Sequence, residues 1–164
     1  SAEAGIKVIL YKVNAIDPTD VEMLNEYYFE TMHHEFAHIL HQKKNYPTEY
    51  NQISAADYSS TGWQNRTEQQ AWKLGFVTPY AGMEPQEDFV EVIANYLVKP
   101  DGFWENMLAN AGTEGATKIQ TKFDMVKEWL MTAWNIDIDE LRTIIIRRSG
   151  DIDSILNEKI AYNE

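Results

Sequence analysis

The sequence predicts a mostly helical α+β domain. Three observations carry this: one β-rich run at residues 6–13, five segments with helical periodicity or helix stop signals, and no linker that would divide 164 residues into two domains.

The run Ile6-Lys-Val-Ile-Leu-Tyr-Lys-Val13 is rich in β-branched and aromatic types between Gly5 and Asn14, which predicts a strand. Asp17 can cap the following segment, Pro18 suits its first turn, and helical patterning continues to about Gln42. Tyr27, Phe29, Met32, Phe36, Ala37, Ile39 and Leu40 almost encircle that helix, so it is predicted to be buried on most sides. Further helices are expected at 67–75, ended by Gly75, and at 85–98, opened by Pro85 and closed before Pro100, with turns between them. From 116 to 135, Ile119, Phe123, Val126, Leu130 and Ala133 form one apolar stripe, and a last helix is expected over 138–148. Trp129 and Trp134 fall into this pattern and read as core. The chain divides into 1–45 (strand and first helix), 46–111 (loops and a central helix) and a helical part, 112–164, all within one domain.

Composition narrows the function. Fourteen Lys and Arg against 26 Asp and Glu give a net charge of −12, which argues against nucleic acid and anionic lipid surfaces as partners. No run of apolar residues is long enough to be a transmembrane segment. The absence of cysteine excludes thiolate metal sites and cysteine nucleophiles, so any metal must use His, carboxylate or water.

All four histidines lie between residues 33 and 41, and His34-Glu35-Phe36-Ala37-His38 has the form H-E-x-x-H on the predicted helix. The i, i+4 spacing places two imidazoles on one face, about 6 Å apart along the axis, from which both can reach one ion. Glu35 leaves the helix roughly 100° from His34, unsuited to be a ligand but able to reach a water at the ion. A chance match is the competing reading, and a third ligand decides between them. His41 lies about 10.5 Å further along the helix than His34, whereas ligands of one tetrahedral zinc lie about 3.5 Å apart. His41 is therefore read as an outer partner or packing residue, and His33 as structural.

The helix at 85–98 offers a better third donor. At 100° per residue Asp88, Asn95 and Lys99 read as a wet stripe, while Glu87 falls between Ala94 and Val98 and faces the core, where a carboxylate needs a positive partner. Glu91, one turn on, can accept the Nδ1 proton of a ligating histidine.

These residues resemble the gluzincin metallopeptidases, in which H-E-x-x-H on one helix is completed by a glutamate on a later one. Tyr80-Ala81 followed by Glu87-Asp88-Phe89-Val90-Glu91 is similar to the Y-A…E-D-F-A-E pattern of gluzincins related to the lethal-factor peptidase. His34 to Gln42 is similar to the H-E-x-x-H-x-x-H-Q signature of the substrate import-associated zinc metallohydrolase lipoproteins of Bacteroidetes. The likeness spans roughly residues 6–98. Metzincins are set apart by glycine at the position of His41 and a ligand at that of Lys44.

The resemblance implies a zincin-like (gluzincin) domain with a reduced N-terminal sheet and a helical C-terminal part. It implies Zn2+ held by His34, His38 and Glu87, with Glu35 as general base and Tyr80 as hydrogen-bond donor to the transition state. It also implies a peptide or protein substrate and a lipoprotein location in the cell envelope or outside the cell, beside outer-membrane uptake machinery. The strand at 6–13 would suit pairing with an extended substrate. Two other readings use the same residues: a non-catalytic metal-binding accessory protein of a nutrient-uptake system, and a zinc hydrolase of a non-peptide amide or ester. Substrate preference is expected to depend on residues 43–79, which hold Tyr46, Tyr50, Tyr58, Trp63 and Trp72.

Overall fold

The structure, a computed structural model, describes residues 2–3, 6–17, 19–20 and 23–161, with side chains at 2–3, 25–26 and 152–161 excepted. Gly5 and Pro18, assigned above to a strand boundary and a helix start, lie outside the described residues.

The predicted strand is mostly absent. β1 (Ala2–Glu3) pairs antiparallel with β2 (Lys7–Val8), Ala2 opposite Val8 and Glu3 opposite Lys7. Lys12 then turns into the left-handed region at φ 62° and Val13–Ala15 form a 3-10 turn. Strand propensity measures fit to a pleated, half-buried surface. Among the described residues no third strand supplies that surface, so pairing stops at Val8.

The following helix starts later than Asp17. The Asp17 carboxylate accepts from the amide and hydroxyl of Thr19, closing a local turn, while Asp20 Oδ1 accepts from Met23 N at 2.9 Å and caps the helix. Leu24–Phe29 wind as a π-helix that runs straight into α1 (Glu30–Lys43). Ala37, Leu40, His34 and His41 form the buried face of α1, while Tyr27 and Phe36 are exposed. The helix is thus buried on one side, less fully than its apolar residues suggest.

α2 (Glu68–Leu74) follows the expected range: Thr67 and Gln70 close a capping box, and Gly75 ends the helix at φ 89°. α3 (Pro85–Val98) begins and ends at its prolines as read. α4 (Phe103–Asn110) was not anticipated, being eight residues enclosed by the turn signals Gly102 and Gly112. α5 (Gly112–Trp134) starts four residues before the range read from sequence and ends one residue before its close, capped by Asn135 at φ 55°, while α6 (Ile138–Ala161) continues past residue 148.

α3 lies at the centre, packed against α1, α5 and α6 and against the Tyr80–Gly82 turn, while α2 and α4 pack on α5. The aromatic centre of the core is Phe89, stacked on Tyr46 with ring centroids 4.3 Å apart and met edge-on by Tyr50 and Trp129. Trp129 is buried with Nε1 donating to Asn45 O, and Trp134 lies beneath the Lys44 ammonium. Among the described residues no helix is long and apolar enough to cross a membrane.

The predicted wet stripe on α3 is wrong. Asp88 and Asn95 are both 0% exposed, and Lys99 is partly buried in a 2.8 Å ion pair with Glu30. A helical wheel ranks positions by their own polarity, whereas the partner of each group decides its burial, a remote one for Asp88 and Lys99 and one a turn away for Asn95. Lys122 on α5 reaches Asp88 Oδ2 at 2.6 Å, and Asn95 Nδ2 donates to Glu91 O at 3.0 Å.

Candidate metal centre

His34 and His38 sit one turn apart on α1, and α3 crosses that face. Pro85 starts α3 so that Glu87 occupies its first turn, where the exposed amides of the helix end favour a carboxylate. Glu87 Oε2 lies 3.1 Å from His34 Nε2 and 3.3 Å from His38 Nε2, and the two imidazole nitrogens are 3.2 Å apart. These separations fall just inside the roughly 3.5 Å expected between ligands of one tetrahedral zinc. Among the described residues, this trio is the one group of three His or carboxylate side chains arranged to hold a metal ion.

The outer partners make the chemistry of the trio specific. His34 Nδ1 is 2.7 Å from Glu91 Oε1, and a carboxylate there can only accept, so the Nδ1 proton belongs to His34. Thr78 Oγ1 donates to the other Glu91 oxygen at 2.6 Å and itself accepts from Ala81 N, tying Glu91 to the turn that carries Tyr80. His38 Nδ1 is 2.9 Å from His41 Nε2. Burial and the neighbouring His38 lower His41 to about 4, so His41 is neutral and its Nε2 can accept the Nδ1 proton of His38. With both Nδ1 protons so placed and the second proton of His34 displaced, the two Nε2 lone pairs and a carboxylate oxygen would converge on one point. Three acceptors so placed fit a cation.

The pKa shifts have the same origin. Burial works to lower His34, but hydrogen bonds to Glu87 and Glu91 outweigh it and raise His34 to about 9. Burial likewise works to raise Glu87, yet His34 and His38 hold its carboxyl well below the usual carboxylate range. The site draws positive charge, and a proton on His34 meets only part of that demand.

Tyr80, in the 3-10 turn Tyr80–Gly82, stands beside His34 with ring centroids 6.0 Å apart. Burial, then the Glu87 carboxylate, with smaller effects of Glu91 and Glu35, push its hydroxyl above the ordinary tyrosine range. Trp63 meets Tyr80 edge-on at 5.0 Å. Of the aromatic residues considered as pocket walls, Tyr50 and Trp72 are buried in the core, Tyr58 bonds Asp88, and Tyr46 stacks on Phe89 and meets His41 edge-on at 5.7 Å; Trp63 is the one in ring contact with Tyr80. His33 is partly buried, and burial lowers its pKa.

The structure thus brings His34, His38, Glu87, Glu91, His41 and Tyr80 into one cluster, with Glu35 close enough for its charge to act on Tyr80. Sequence reasoning missed Thr78, a lone threonine in a turn whose role depends on a partner 13 residues away.

Fold and site together define a helical protein with a cluster of two histidines and one carboxylate suited to a metal ion. Residues 1–139 match the family model described as "Putative zinc-binding metallo-peptidase", and the chain belongs to that family. Its cofactor is Zn2+, which fits this donor set. The chain is also similar to the protein in a crystal structure described as a putative zinc-binding metallo-peptidase from Bacteroides caccae ATCC 43185, with 52% identity and a TM-score of 0.81. That match covers 86% of this chain and 54% of the other, so the chain spans about half the length of that relative. No curated protein matches the chain.

Proposed function

We propose that the protein is a zinc-dependent peptidase of gluzincin type. The convergence of three acceptor atoms beside a protonated tyrosine hydroxyl and a glutamate that does not join them carries this reading.

In this reading His34, His38 and Glu87 hold the ion. When bound, zinc supplies Lewis acidity and an open coordination position. Glu35, adjacent in sequence to the ligand His34 but pointed off its axis, takes the proton of the attacking water and passes it to the leaving amine nitrogen. The Tyr80 hydroxyl donates to the carbonyl oxygen as it gains negative charge, and its raised pKa keeps that proton in place at neutral pH. Glu91 and His41 orient the two imidazoles through their Nδ1 protons. The two-residue β2 is too short to serve as the substrate-pairing strand considered above.

The test is a fluorogenic peptide library with the purified protein. Cleavage that a zinc chelator stops and added Zn2+ restores is the expected result; no cleavage of any member by zinc-loaded protein would refute the peptidase reading. Within the active protein, Tyr80→Phe is expected to lower kcat about 100- to 1,000-fold, the usual loss on removing one oxyanion donor, with zinc content unchanged by elemental analysis.

A further inference from the structure

We propose that Lys122 is a positioning residue of the metal centre, acting through Asp88 to fix the rotation of α3 and so aim Glu87 at His34 and His38. The inference rests on the reading of Glu87 as a ligand.

Asp88 directly follows Glu87, and its carboxylate and the Lys122 ammonium, 2.6 Å apart, are both 0% exposed. Tyr58 donates to the same oxygen, Asp88 Oδ2, at 2.7 Å. Lys122 makes a second bond, 2.7 Å long, to the carbonyl of Gly75, the residue that ends α2. Its Nζ lies 4.4 Å from the ring centroid of Phe76 and 5.9 Å from those of Tyr50 and Tyr58. One ammonium thus joins three elements: α5, the end of α2 and the first turn of α3.

Stability alone does not account for this arrangement, because apolar residues of similar volume commonly replace a buried ion pair without loss. Direction does. Glu84 gives α3 no side-chain cap, so the first turn is not held by the usual device. Asp88 and Glu87 leave the helix about 100° apart, so fixing the azimuth of one fixes that of the other. At the roughly 6 Å radius of a side-chain tip, a turn of about 10° about the axis of α3 would carry the Glu87 oxygen about 1 Å. Metal-ligand distances tolerate about 0.2 Å.

Lys122 is itself firmly placed. Gly115 lies two turns earlier on the same face of α5, and a Cβ there would come 2.3 Å from Trp72 O, so α5 seats against α2 at backbone contact. Glu91 also restrains α3, through His34 inside the cluster and through Thr78 in the turn before α3. Lys122 restrains the first turn, next to Glu87, from outside the cluster.

The test measures zinc affinity of purified, folded protein by competition with a chromophoric chelator, together with the visible absorption of the Co2+-loaded protein. Lys122→Met is expected to weaken zinc binding about 10- to 100-fold, as loss of an outer-sphere support does, and to alter the Co2+ bands. Met107→Ala, which opens a cavity at a fully buried position of α4 and removes no polar group, should leave both readouts as in the wild type. Tyr58→Phe removes a single hydroxyl and keeps the pair, so it tests the same network where Lys122→Met fails to fold; a severalfold loss of affinity is expected.

Wild-type affinity in folded Lys122→Met overturns the proposal, as does wild-type affinity in Tyr58→Phe when Lys122→Met is unfolded, or an equal loss in Met107→Ala. Glu87→Ala separates the two levels. Undiminished zinc binding there refutes the ligand reading, whereas loss there with normal binding in Lys122→Met refutes only the role of Lys122.

Discussion

Replacing Glu35 by Gln is expected to reduce peptide hydrolysis about 100- to 10,000-fold while about one zinc per chain stays bound. The amide keeps the size of the carboxylate and cannot take a proton from water at neutral pH. Glu35 lies outside the trio whose atoms are 3.1–3.3 Å apart, so the metal donors are untouched. Elemental analysis and single-turnover hydrolysis of one cleavable peptide measure the two halves of this expectation separately. Full activity in Glu35→Gln would assign the proton transfer to another group; loss of zinc would make Glu35 part of the binding set.

The second large effect belongs to Glu87. Glu87→Ala should leave the protein unable to keep zinc through dialysis, because of the one three-donor group among the described residues two imidazoles on one helix would remain. His41→Ala removes only the acceptor of the His38 Nδ1 proton and should weaken binding about 10- to 100-fold, still loading fully at micromolar protein and metal. The contrast is diagnostic, since both side chains meet the His38 ring, Glu87 at 3.3 Å from Nε2 and His41 at 2.9 Å from Nδ1. If His41→Ala were the variant that lost the metal, the third donor would be the imidazole and the carboxylate its support.

What could be read in the chain is whatever depends on neighbours in sequence. The i, i+4 pair of histidines, Pro85 starting α3 and Gly75 ending α2 are local facts, and each appears in the structure at its expected place. Where a partner is remote, pattern reading fails. Asp88 reads as solvated because nothing nearby in sequence reveals Lys122, 34 positions after it. The strand at 6–13 was overread because pairing depends on a neighbouring strand rather than on residue type. The site divides in the same way: its donors stand out by type and spacing, while Thr78 and Lys122 act through distant contacts.

The π-helix Leu24–Phe29 is an α-helix carrying a surplus residue. Excising one residue from it would restore regular winding and swing the chain upstream by about 100°, leaving everything from Glu30 onward in register. That swing would carry β1 and β2 off α1, on which they pack, so the surplus residue sets the angle at which the N-terminal strand pair meets the helix that bears the histidines.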